Sequence, residues 1–483
     1  MRAMEYETVV GLEVHCQLAT RTKLFCGATM RFGEEPNTQV DAVTLGLPGV
    51  LPVINDGAID LAVRAALALD GAIQRHSTFE RKHYFYPDLP KGYQITQNVD
   101  PYCVGGAVLI DDEAGGTRAI PLVRIHLEED AGKLVHQERG PWSEVDLNRA
   151  GTPLIEIVSQ PALRSGAEAY AYLLELRRAL TFAGVSDCEM QEGRLRCDAN
   201  VSIRPRGQEV FGTRVEIKNL NSFRAVEAAI EQEAAMQIAL HRAGRYAEVV
   251  QMTKLWDPDA KTTRPMRSKE QAADYRYFPD PDLPPIDIAP ERVAAIRAAL
   301  PERPRDRAAR YVREWGLDPA AARELTGDKA VSDYVDALVA AGAKPKLAAN
   351  WTREEALRLM AETGKPIQEA APLAVIGGII RLIDGGKVAR VVAKAACAEL
   401  CASGEDPEAY FTRQGQIQVQ DAGQLAAWVA QAIAQEAKAV ADVRSGKLAA
   451  AGRLVGATMK LSGGKGDPAA ARAEIARQLG VSL

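Results

Sequence analysis

The sequence lacks two features that mark membrane and secreted proteins. Its 483 residues hold no apolar run of the roughly 20 residues that a membrane-spanning helix needs. Its first ten residues, MRAMEYETVV, carry charges where a secretory signal would have an apolar core. We therefore expect a soluble protein of the cytoplasm that has no membrane partner.

Cysteine is sparse and scattered. Seven cysteines occur, and no two of them form the C-x-x-C spacing of zinc knuckles and thioredoxin-like sites. An odd number at irregular spacings in so long a chain also argues against a disulfide framework. The pattern fits a reducing compartment, which agrees with the expected cytoplasmic location.

The common motifs for nucleotide and acyl chemistry are absent as well. There is no G-x-x-x-x-G-K-[ST] loop, because DGGKVAR and SGGKGDP each lack the first glycine and the hydroxyl residue. There is no dinucleotide fingerprint, no set of protein-kinase motifs and no G-x-S-x-G elbow. A nucleotide, if one is used, must bind at an uncommon kind of site. The net charge of −5 excludes a chain that is basic throughout but leaves a local basic face open.

The patterns that are present predict an α+β protein of several domains, since 483 residues are too many for one core. Residues 1–290 contain short strand-like runs, among them VTLGLPGVLPVIN, and predict a mainly antiparallel sheet with helices at 58–69 and 165–184. The proline-rich PDPDLPPIDIAP ends this part. Composition then favours helices, which we divide into a helical domain at 291–405 and a tail domain at 406–483. Within the tail, QLAAWVAQAIAQEAKAVADVRSG predicts one helix ending at Gly446.

A recurring pattern places acidic side chains on strands. In VVGLEVHCQL, Glu13 and His15 are two residues apart and so share one face. Four more strand-like segments repeat the theme with Glu128 and Asp130, Glu156, Asp198 and Asn200, and Glu216 and Lys218. Acids that converge on one sheet face would form a site for hard cations, and Mg²⁺ commonly bridges carboxylates and substrate phosphates. The alternative for each of these segments is that its polar residues lie on a solvated surface or form a local salt bridge. This alternative is hardest to accept for Glu156, because two apolar residues flank it on each side.

Two segments combine aromatic and basic residues. RKHYFYPDLPKGYQITQ, residues 81–97, has three consecutive aromatics near Arg81, Lys82 and Lys91. TTRPMRSKEQAADYRYFPDPDLPP, residues 262–285, has a similar mixture. Such segments suit stacking on bases beside phosphates. A core strand and turn explains the first nearly as well, and a solvated loop explains the second.

The longer motifs carry a family resemblance. GLEVHCQL, GLPGVLPVIN, RKHYFYPDLPKGYQIT, HLEEDAGK, DLNRAGTPLIEIVS, EGRLRCDANVSIRP, EIKNLNSF and MRSKEQAADYRYFPDPDLPP resemble, in this order, the motifs of the GatB subunits of the aspartyl/glutamyl-tRNA(Asn/Gln) amidotransferases. They span almost the whole first domain, and several long motifs in one order are far more specific than any short pattern.

The resemblance implies a catalytic cradle related in fold to glutamine synthetase and guanidino kinases, followed by helical and tail domains that hold tRNA. It implies Mg²⁺ and ATP, and phosphorylation of the side-chain carboxylate of Glu or Asp misacylated on tRNA(Gln) or tRNA(Asn). Ammonia from the amidase partner, GatA, would then give the amide, and the small partner GatC would complete a heterotrimer. This chain shows neither a Gly-Ser-rich amidase signature nor a glutaminase cysteine site, which agrees with ammonia supplied by a partner.

Site residues follow from the resemblance by motif position. Those implied to be catalytic and to hold the metal are Glu13, His15, Glu128 and Glu156. Those implied to contact nucleotide or the acceptor end, or to line the ammonia path, are Lys82, Tyr84, Lys91 and Tyr93. Further candidates for cofactor binding are Asp198, Glu216 and Lys218. Candidates for tRNA phosphates in the helical regions are Lys387, Arg390, Lys394, Lys438, Arg444, Lys447, Arg453 and Lys460. Some family members have a cysteine zinc site after the first strand, but only Cys26 stands in that loop here, so we expect no zinc.

Two other functions remain open from the sequence alone. The first is a stand-alone carboxylate–amine ligase for a small molecule, against which the helical C-terminal third argues, since a small substrate would not need it. The second is a non-catalytic tRNA-binding scaffold, against which the acids within apolar strands argue. A surface that binds phosphates should not place carboxylates at its centre without metal ions.

Overall fold

A computed structural model describes residues 4–111, 116–136, 140, 142–266, 275–417, 422–463 and 466–482. The chain divides into two compact units, Met1–Pro304 and Arg305–Leu483. The first unit has both strands and helices, and the regular elements that the structure describes in the second are all helical. This agrees with the predicted α+β class.

The first unit is built on a large sheet. The strands of the unit are β1 Tyr6–Gln17, β2 Ala72–Ile73, β3 His76–Ser77, β4 Glu80–His83, β5 Tyr93–Thr96, β6 Cys103–Val104, β7 Ala107–Asp111, β8 Thr117–Glu129, β9 Lys133–His136, β10 Ser143–Asp146, β11 Pro153–Ser159, β12 Leu195–Pro205, β13 Val215–Leu220, β14 Met252–Asp257, β15 Thr262–Pro265, β16 Phe278–Pro279 and β17 Ile286–Asp287. Strands β9 and β10, and β3 and β17, form two separate two-stranded sheets. The main sheet has the order β15-β14-β13-β12-β1-β11-β8-β5-β4-β16, with β6 and β7 on β8 and β2 on β6. Within the described residues its pairs are antiparallel except β13 with β14, which matches the predicted sheet type.

Strand β1 lies at the centre of this sheet between β11 and β12. Val10, Leu12, Val14 and Cys16 are almost fully buried in the core. The intervening Glu13 and His15 are only partly buried. The alternation therefore gives the strand one apolar face and one polar face.

Helices cover the apolar face. The first unit contains α1 Asp56–Ala68, α2 Gly166–Phe182, α3 Phe223–Arg242 and α4 Pro290–Ala299, and a short 3-10 turn at Tyr246–Glu248. Side chains of α1, α2 and α3 share one hydrophobic core with β1. Ser165 and Ser222 begin α2 and α3 by accepting hydrogen bonds from backbone amides in the first turn. After α2, Gly184 takes φ +68°, the left-handed conformation in which a glycine commonly ends a helix.

The second unit contains only helices among its described regular elements. They are α5 Pro304–Trp315, α6 Pro319–Leu325, α7 Lys329–Ala340, α8 Pro345–Trp351, α9 Leu357–Thr363, α10 Ile367–Ala370, α11 Leu373–Asp384, α12 Arg390–Ser403, α13 Pro407–Arg413, α14 Ala422–Gln435, α15 Ala437–Arg444, α16 Ala451–Leu461 and α17 Pro468–Leu479, with a π turn at Thr352–Ala356 and a 3-10 turn at Leu448–Ala450. Two hydrophobic cores form, one from residues 308–411 and one from residues 429–479. In the described part of the chain, no helix combines the length and apolarity needed to cross a bilayer.

Two predictions about elements are wrong. Residues 43–55, all of which the structure describes, form turns followed by irregular backbone and not a strand, and Gly46 and Gly49 there adopt positive φ. The predicted helix ending at Gly446 is two helices, α14 and α15, because Glu436 between them leaves the helical region at φ −110° and ψ 53°. Val429 of α14 and Val443 of α15 pack in the same core, so the apolar periodicity continues across the break.

The predicted boundary at residue 290 lies close to the division between the units at residue 304. Helix α4 falls between the two positions, and its Ile296 packs in the core of the first unit. The proline-rich segment contributes only the two-residue strands β16 and β17, as expected where proline cannot donate to a sheet ladder. The division into three domains stays a prediction.

Candidate metal centre

Three strands bring His15, Glu128 and Glu156 together on the polar face of the sheet. His15 on β1 is directly opposite Glu156 on β11, and β8 supplies Glu128. His15 Nε2 is 3.6 Å from Glu128 Oε1 and 3.6 Å from Glu156 Oε2. One ligand atom from each residue lies within 4.8 Å of the others, a spacing that can hold a metal ion. Neighbouring strands thus unite residues that lie far apart in the sequence.

A second histidine, His126, belongs to this cluster and was not among the predicted site residues. It lies opposite Glu156 across β8 and β11. Its Nε2 is 3.3 Å from Glu156 Oε2 and 3.6 Å from Glu128 Oε2. The signal was present in HLEED, because His126 precedes Glu128 by two residues and therefore shares its face. We call His15, His126, Glu128 and Glu156 the four-residue cluster.

The charges of the four-residue cluster support one another. Burial by itself would raise the pKa of Glu156, but hydrogen bonds from His126 and His15 outweigh it and hold this pKa well below its usual range. The pKa of Glu128 is lowered in the same way, despite burial, mainly by His126. Conversely, burial would lower the pKa of His126, yet Glu128 and Glu156 raise it to about 9. Two carboxylates are thus kept ionised, which is the form that a metal ion requires.

A second acidic group continues along the same face. Glu13 and Asp198 are directly opposite on β1 and β12. Asn200 Nδ2 donates to Glu13 Oε1 at 3.0 Å. Burial raises the pKa of Glu13, and the nearby carboxylates of Glu156 and Glu216 raise it further. A cation bound beside Glu13 would reduce the electrostatic repulsion between these carboxylates.

Lys218 balances the negative charge of this group at its Asp198 end. Its Nζ is 2.9 Å from Asp198 Oδ2 and 3.2 Å from Glu216 Oε1. Glu216 also accepts a hydrogen bond from Thr253 Oγ1 at 2.6 Å. Burial disfavours the charged form of Lys218, but Asp198 and Glu216 outweigh it and raise its pKa. The predicted residues Asp198, Glu216 and Lys218 thus form one ion-paired group beside Glu13.

The aromatic-basic segment at 81–97 places only some of its predicted residues near the acids. Burial would lower the pKa of Lys82, but the charge of Glu128 outweighs it and raises this pKa. Its Nζ lies 4.9 Å from the centre of the Tyr275 ring. Lys82 is thus a predicted residue of this segment whose pKa depends on the charge of Glu128.

The other three predicted residues of that segment have different neighbours. Lys91 forms an ion pair with buried Glu129, with 2.6 Å between Nζ and Oε2. The guanidinium of Arg81 lies over the ring of Tyr93, with 4.2 Å between Arg81 Cζ and the centre of that ring. Tyr84 is exposed, and its ring lies 5.8 Å from that of Tyr86. The second aromatic-basic segment falls partly outside the described residues, which omit Arg267 and Lys269.

The donor atoms fit a hard divalent cation. Glu128 and Glu156 offer carboxylate oxygens, the ligands that Mg²⁺ prefers. The Nδ1 atom of His126 is buried and has no hydrogen-bond partner among the described residues. Both imidazoles contact the two carboxylates through Nε2, and His15 belongs to the group whose spacing can hold a metal ion. The expectation that zinc is absent stays a prediction. Cys26, the cysteine of the loop where some family members bind zinc, has its Sγ 3.6 Å from Thr44 Oγ1.

Most of the predicted tRNA-contacting cations have acidic partners within the chain. Five of the eight form ion pairs: Lys387 with Glu408, Arg390 and Lys394 with Glu354, Lys447 with Asp442, and Arg453 with Glu436. Exposed pairs of this kind exchange readily, so they do not prevent a phosphate contact. They also provide no evidence for one.

Comparisons with known proteins agree along nearly the whole chain. Residues 8–294 match the family model described as the GatB/GatE catalytic domain, and residues 333–479 match the GatB domain model. The GatB subunit of the aspartyl/glutamyl-tRNA(Asn/Gln) amidotransferase of Thermosynechococcus vestitus is 47% identical over 99% of this chain and 97% of its own length. The corresponding subunits of Carboxydothermus hydrogenoformans and Myxococcus xanthus are 47% and 45% identical, over 96% and 99% of this chain and 97% and 100% of their own lengths. The chain therefore belongs to the GatB family of aspartyl/glutamyl-tRNA(Asn/Gln) amidotransferase subunits.

Proposed function

We propose that this chain is the amidating component of a tRNA-dependent amidotransferase. It activates the side-chain carboxylate of Glu or Asp misacylated on tRNA(Gln) or tRNA(Asn) with ATP, and replaces it by an amide. A carboxylate is a poor electrophile, so transfer of the γ-phosphoryl group from ATP would give an acyl phosphate and ADP. Ammonia would then attack the acyl carbon, and phosphate would leave.

The single observation that carries this proposal is the row of acids on the polar face of the sheet. Glu128 and Glu156 are kept ionised by histidines, and Glu13 lies beside them with a raised pKa. Such a face repels ATP and a carboxylate substrate unless divalent cations are present. A bound Mg²⁺ would neutralise the phosphate charges during transfer. The chain's other task is to position the two reactants.

Named residues can carry that task. Glu128 and Glu156 would hold the cation, with Glu13 and His15 beside them. His126 fixes the orientation of both carboxylates through its Nε2 contacts. Lys82 lies near Glu128 and would offer a positive charge to a phosphate. Lys218 would keep Asp198 and Glu216 oriented at the edge of the site.

The finer assignments belong to the same proposal. The first unit would be a cradle of the glutamine synthetase and guanidino kinase type, and the second unit would hold the tRNA body. Ammonia would come from the amidase GatA, with the small protein GatC completing the heterotrimer, in the cytoplasm. The family match and the nearly full-length similarity to proteins named as amidotransferase subunits support these assignments.

The test uses the full chain assembled with its partner subunits. We would supply Mg²⁺, ATP and Glu-tRNA(Gln), with free ammonia in place of glutamine, and measure tRNA-bound glutamine and ADP. We expect both products in equal amounts, dependent on Mg²⁺. Amidation of free glutamate without tRNA would instead favour a small-molecule ligase. Tight tRNA binding with no ADP formation would favour a scaffold.

A further inference from the structure

A cavity of about 810 Å³ lies beside the four-residue cluster, at the C-terminal end of β1. Gln17 lines it, and Gln17 comes two residues after His15, so both side chains lie on the polar face of the strand. The volume falls within the roughly 300–1,000 Å³ that is typical of pockets for small ligands. A group held in this cavity can therefore approach the cluster from the Gln17 end of β1.

Arg196 on β12 links this cavity to the cluster. It is directly opposite His15 on β1, so the two side chains share the polar face. Its Nη2 donates to Asp130 Oδ2 at 2.7 Å. Gln17 and Arg149, which both line the cavity, contact the same carboxylate oxygen, with Gln17 Nε2 at 3.1 Å and Arg149 Nε at 3.6 Å. Asp130 therefore joins the wall of the cavity to the arginine beside the cluster.

The guanidinium of Arg196 is fixed at one edge by this buried partner. Burial would raise the pKa of Asp130, but the charges of Arg196 and Arg149 outweigh it and lower this pKa. Asp130 therefore stays ionised and anchors Arg196 through a charge-assisted hydrogen bond. A side chain that is already oriented loses little conformational entropy when it binds a ligand. Arg196 is thus prepared to bind an anion.

Arg149 shares this carboxylate, but its donors are used within the fold. Its Nε donates to Ala131 O at 2.9 Å and its Nη2 to Gly132 O at 2.6 Å, and its charge also acts on the Asp88 carboxyl. The side chain of Arg196 is 36% exposed, and its Nε is buried without a hydrogen-bond partner among the described residues. A buried donor without a partner is unfavourable. A carboxylate that binds the guanidinium through two parallel hydrogen bonds would give this donor a partner.

We propose that Arg196 binds the side-chain carboxylate of the Glu or Asp that is esterified to the tRNA, and holds it beside the cation site. This rests on the proposed function, because it assumes that substrate. The acids of the cluster repel a carboxylate, so a positive charge is needed where the carboxylate is to be phosphorylated.

The same contact would distinguish substrate from product. The acidic substrate has a negative side chain that can accept two hydrogen bonds from a guanidinium. The amide product is neutral, and its NH₂ group cannot accept one of them. Arg196 would therefore be a specificity-determining residue, which favours binding of the misacylated tRNA and release of the amidated one.

The experiment measures the dissociation constants of Glu-tRNA(Gln) and Gln-tRNA(Gln) for the assembled enzyme, with Mg²⁺ and without ATP. The tRNA body is the same in both, so their ratio reports on the esterified residue. Wild type should bind Glu-tRNA(Gln) about tenfold or more tightly, because a hydrogen bond to a charged group is lost in the product. Arg196→Gln should bring the ratio close to one. Arg196→Lys keeps the charge but not the planar fork, and should give an intermediate ratio.

Arg194 provides the matched control. It lines the same cavity, and it already forms ion pairs with Asp187 and Glu192. Any loss of affinity in Arg194→Gln should affect both tRNAs equally and leave the ratio at its wild-type value. A ratio that falls in Arg194→Gln but not in Arg196→Gln would overturn the inference, because the carboxylate would then bind elsewhere in the cavity.

Two further results would contradict the inference while product formation by wild type leaves the proposed function standing. The first is a wild-type enzyme that binds both tRNAs equally well. The second is an unchanged ratio in Arg196→Gln, which would give Arg196 the structural role of holding Asp130. If Arg196→Gln does not fold, an unchanged ratio in Arg196→Lys has the same meaning. A wild-type enzyme that forms no ADP in the full reaction would instead refute the proposed function.

Discussion

At the scale of single residues, the candidate site contains two histidines that contact its carboxylates. His126 is almost fully buried and contacts both Glu128 and Glu156 through Nε2. Neighbours of this kind set the orientation of metal-binding carboxylates, and their loss commonly costs roughly 10- to 100-fold in metal affinity or activity. A change at His126 should therefore appear first in the requirement for Mg²⁺.

We predict that His126→Gln raises the Mg²⁺ concentration for half-maximal activity about 10- to 100-fold. The measurement is product formation against Mg²⁺ concentration, together with calorimetric titration of Mg²⁺. His76→Gln is the control, since the side chain of His76 is 71% exposed. An unchanged Mg²⁺ requirement in the His126 variant, with normal folding, would show that this histidine does not support the site.

Lys23 gives a residue-scale prediction about pH. It is fully buried, its Nζ donates to Leu147 O at 3.2 Å, and burial lowers its pKa from 10.5 to about 8. Between those pH values the unfolded chain binds more protons than the folded chain, so this residue makes the free energy of unfolding rise with pH. Its destabilising effect is full below pH 8 and is lost as the pH approaches 10.5.

The difference in unfolding midpoint between wild type and Lys23→Met should therefore shift in favour of wild type as the pH rises from about 7.5 to about 10. Urea unfolding at several pH values measures this shift. Lys447→Met serves as the comparison, because that side chain is 73% exposed. A difference for Lys23→Met that stays constant over this pH range would show that folding does not lower the pKa of Lys23.

At the scale of elements, the polar face of the sheet is supported from behind by a buried ion pair. Lys254 on β14 has its Nζ 2.9 Å from Glu233 Oε2 on α3. Gln237 Nε2 and Thr263 Oγ1 also donate to Glu233, at 3.0 Å and 3.1 Å. The adjacent residue on β14, Thr253, points to the opposite face and donates to Glu216. The pair therefore fixes the strand that orients one of the candidate site acids.

We predict that Glu233→Gln lowers the free energy of unfolding by about 3–5 kcal/mol, because it leaves Lys254 buried without an opposite charge. Urea unfolding measures the loss. The exposed pair of Arg245 and Glu248 provides the control, and Glu248→Gln should lower the free energy of unfolding far less than Glu233→Gln does. Equal, small losses at both sites would mean that water reaches Lys254 and that the pair does not anchor β14.

The predictable parts of the elements are those with local causes. Period-two alternation placed Glu13, His15, Glu128 and Glu156 on strands, and the fold brings three of them within metal-binding distance of one another. His126 was not predicted as a site residue because it lies in an apolar run, where a single histidine is typical of a core position.

Other features of the elements have causes that no local pattern contains. The pairing of Glu233 with Lys254 and the parallel pairing of β13 with β14 depend on long-range packing. The break at Glu436 was hidden because both flanking helices face the same core. A sequence pattern therefore indicates which faces are polar, but not which strands become neighbours.

At the scale of the whole molecule, the first unit has its own hydrophobic core and the second unit has two. A unit with its own core can in principle fold alone. We predict that fragments 1–304 and 305–483 each unfold cooperatively in urea, as followed by circular dichroism. A fragment that shows no cooperative transition would mean that its core needs the other unit.

The central claim is that the acidic face of the sheet is the site of phosphoryl transfer. The most direct measurement compares wild type, Glu13→Gln and Glu156→Gln in the assembled enzyme, with Mg²⁺, ATP, Glu-tRNA(Gln) and free ammonia. We predict that both variants bind tRNA as wild type does but form neither ADP nor tRNA-bound glutamine at more than about a hundredth of the wild-type rate. Full activity in both variants would contradict this claim, and would make these carboxylates structural.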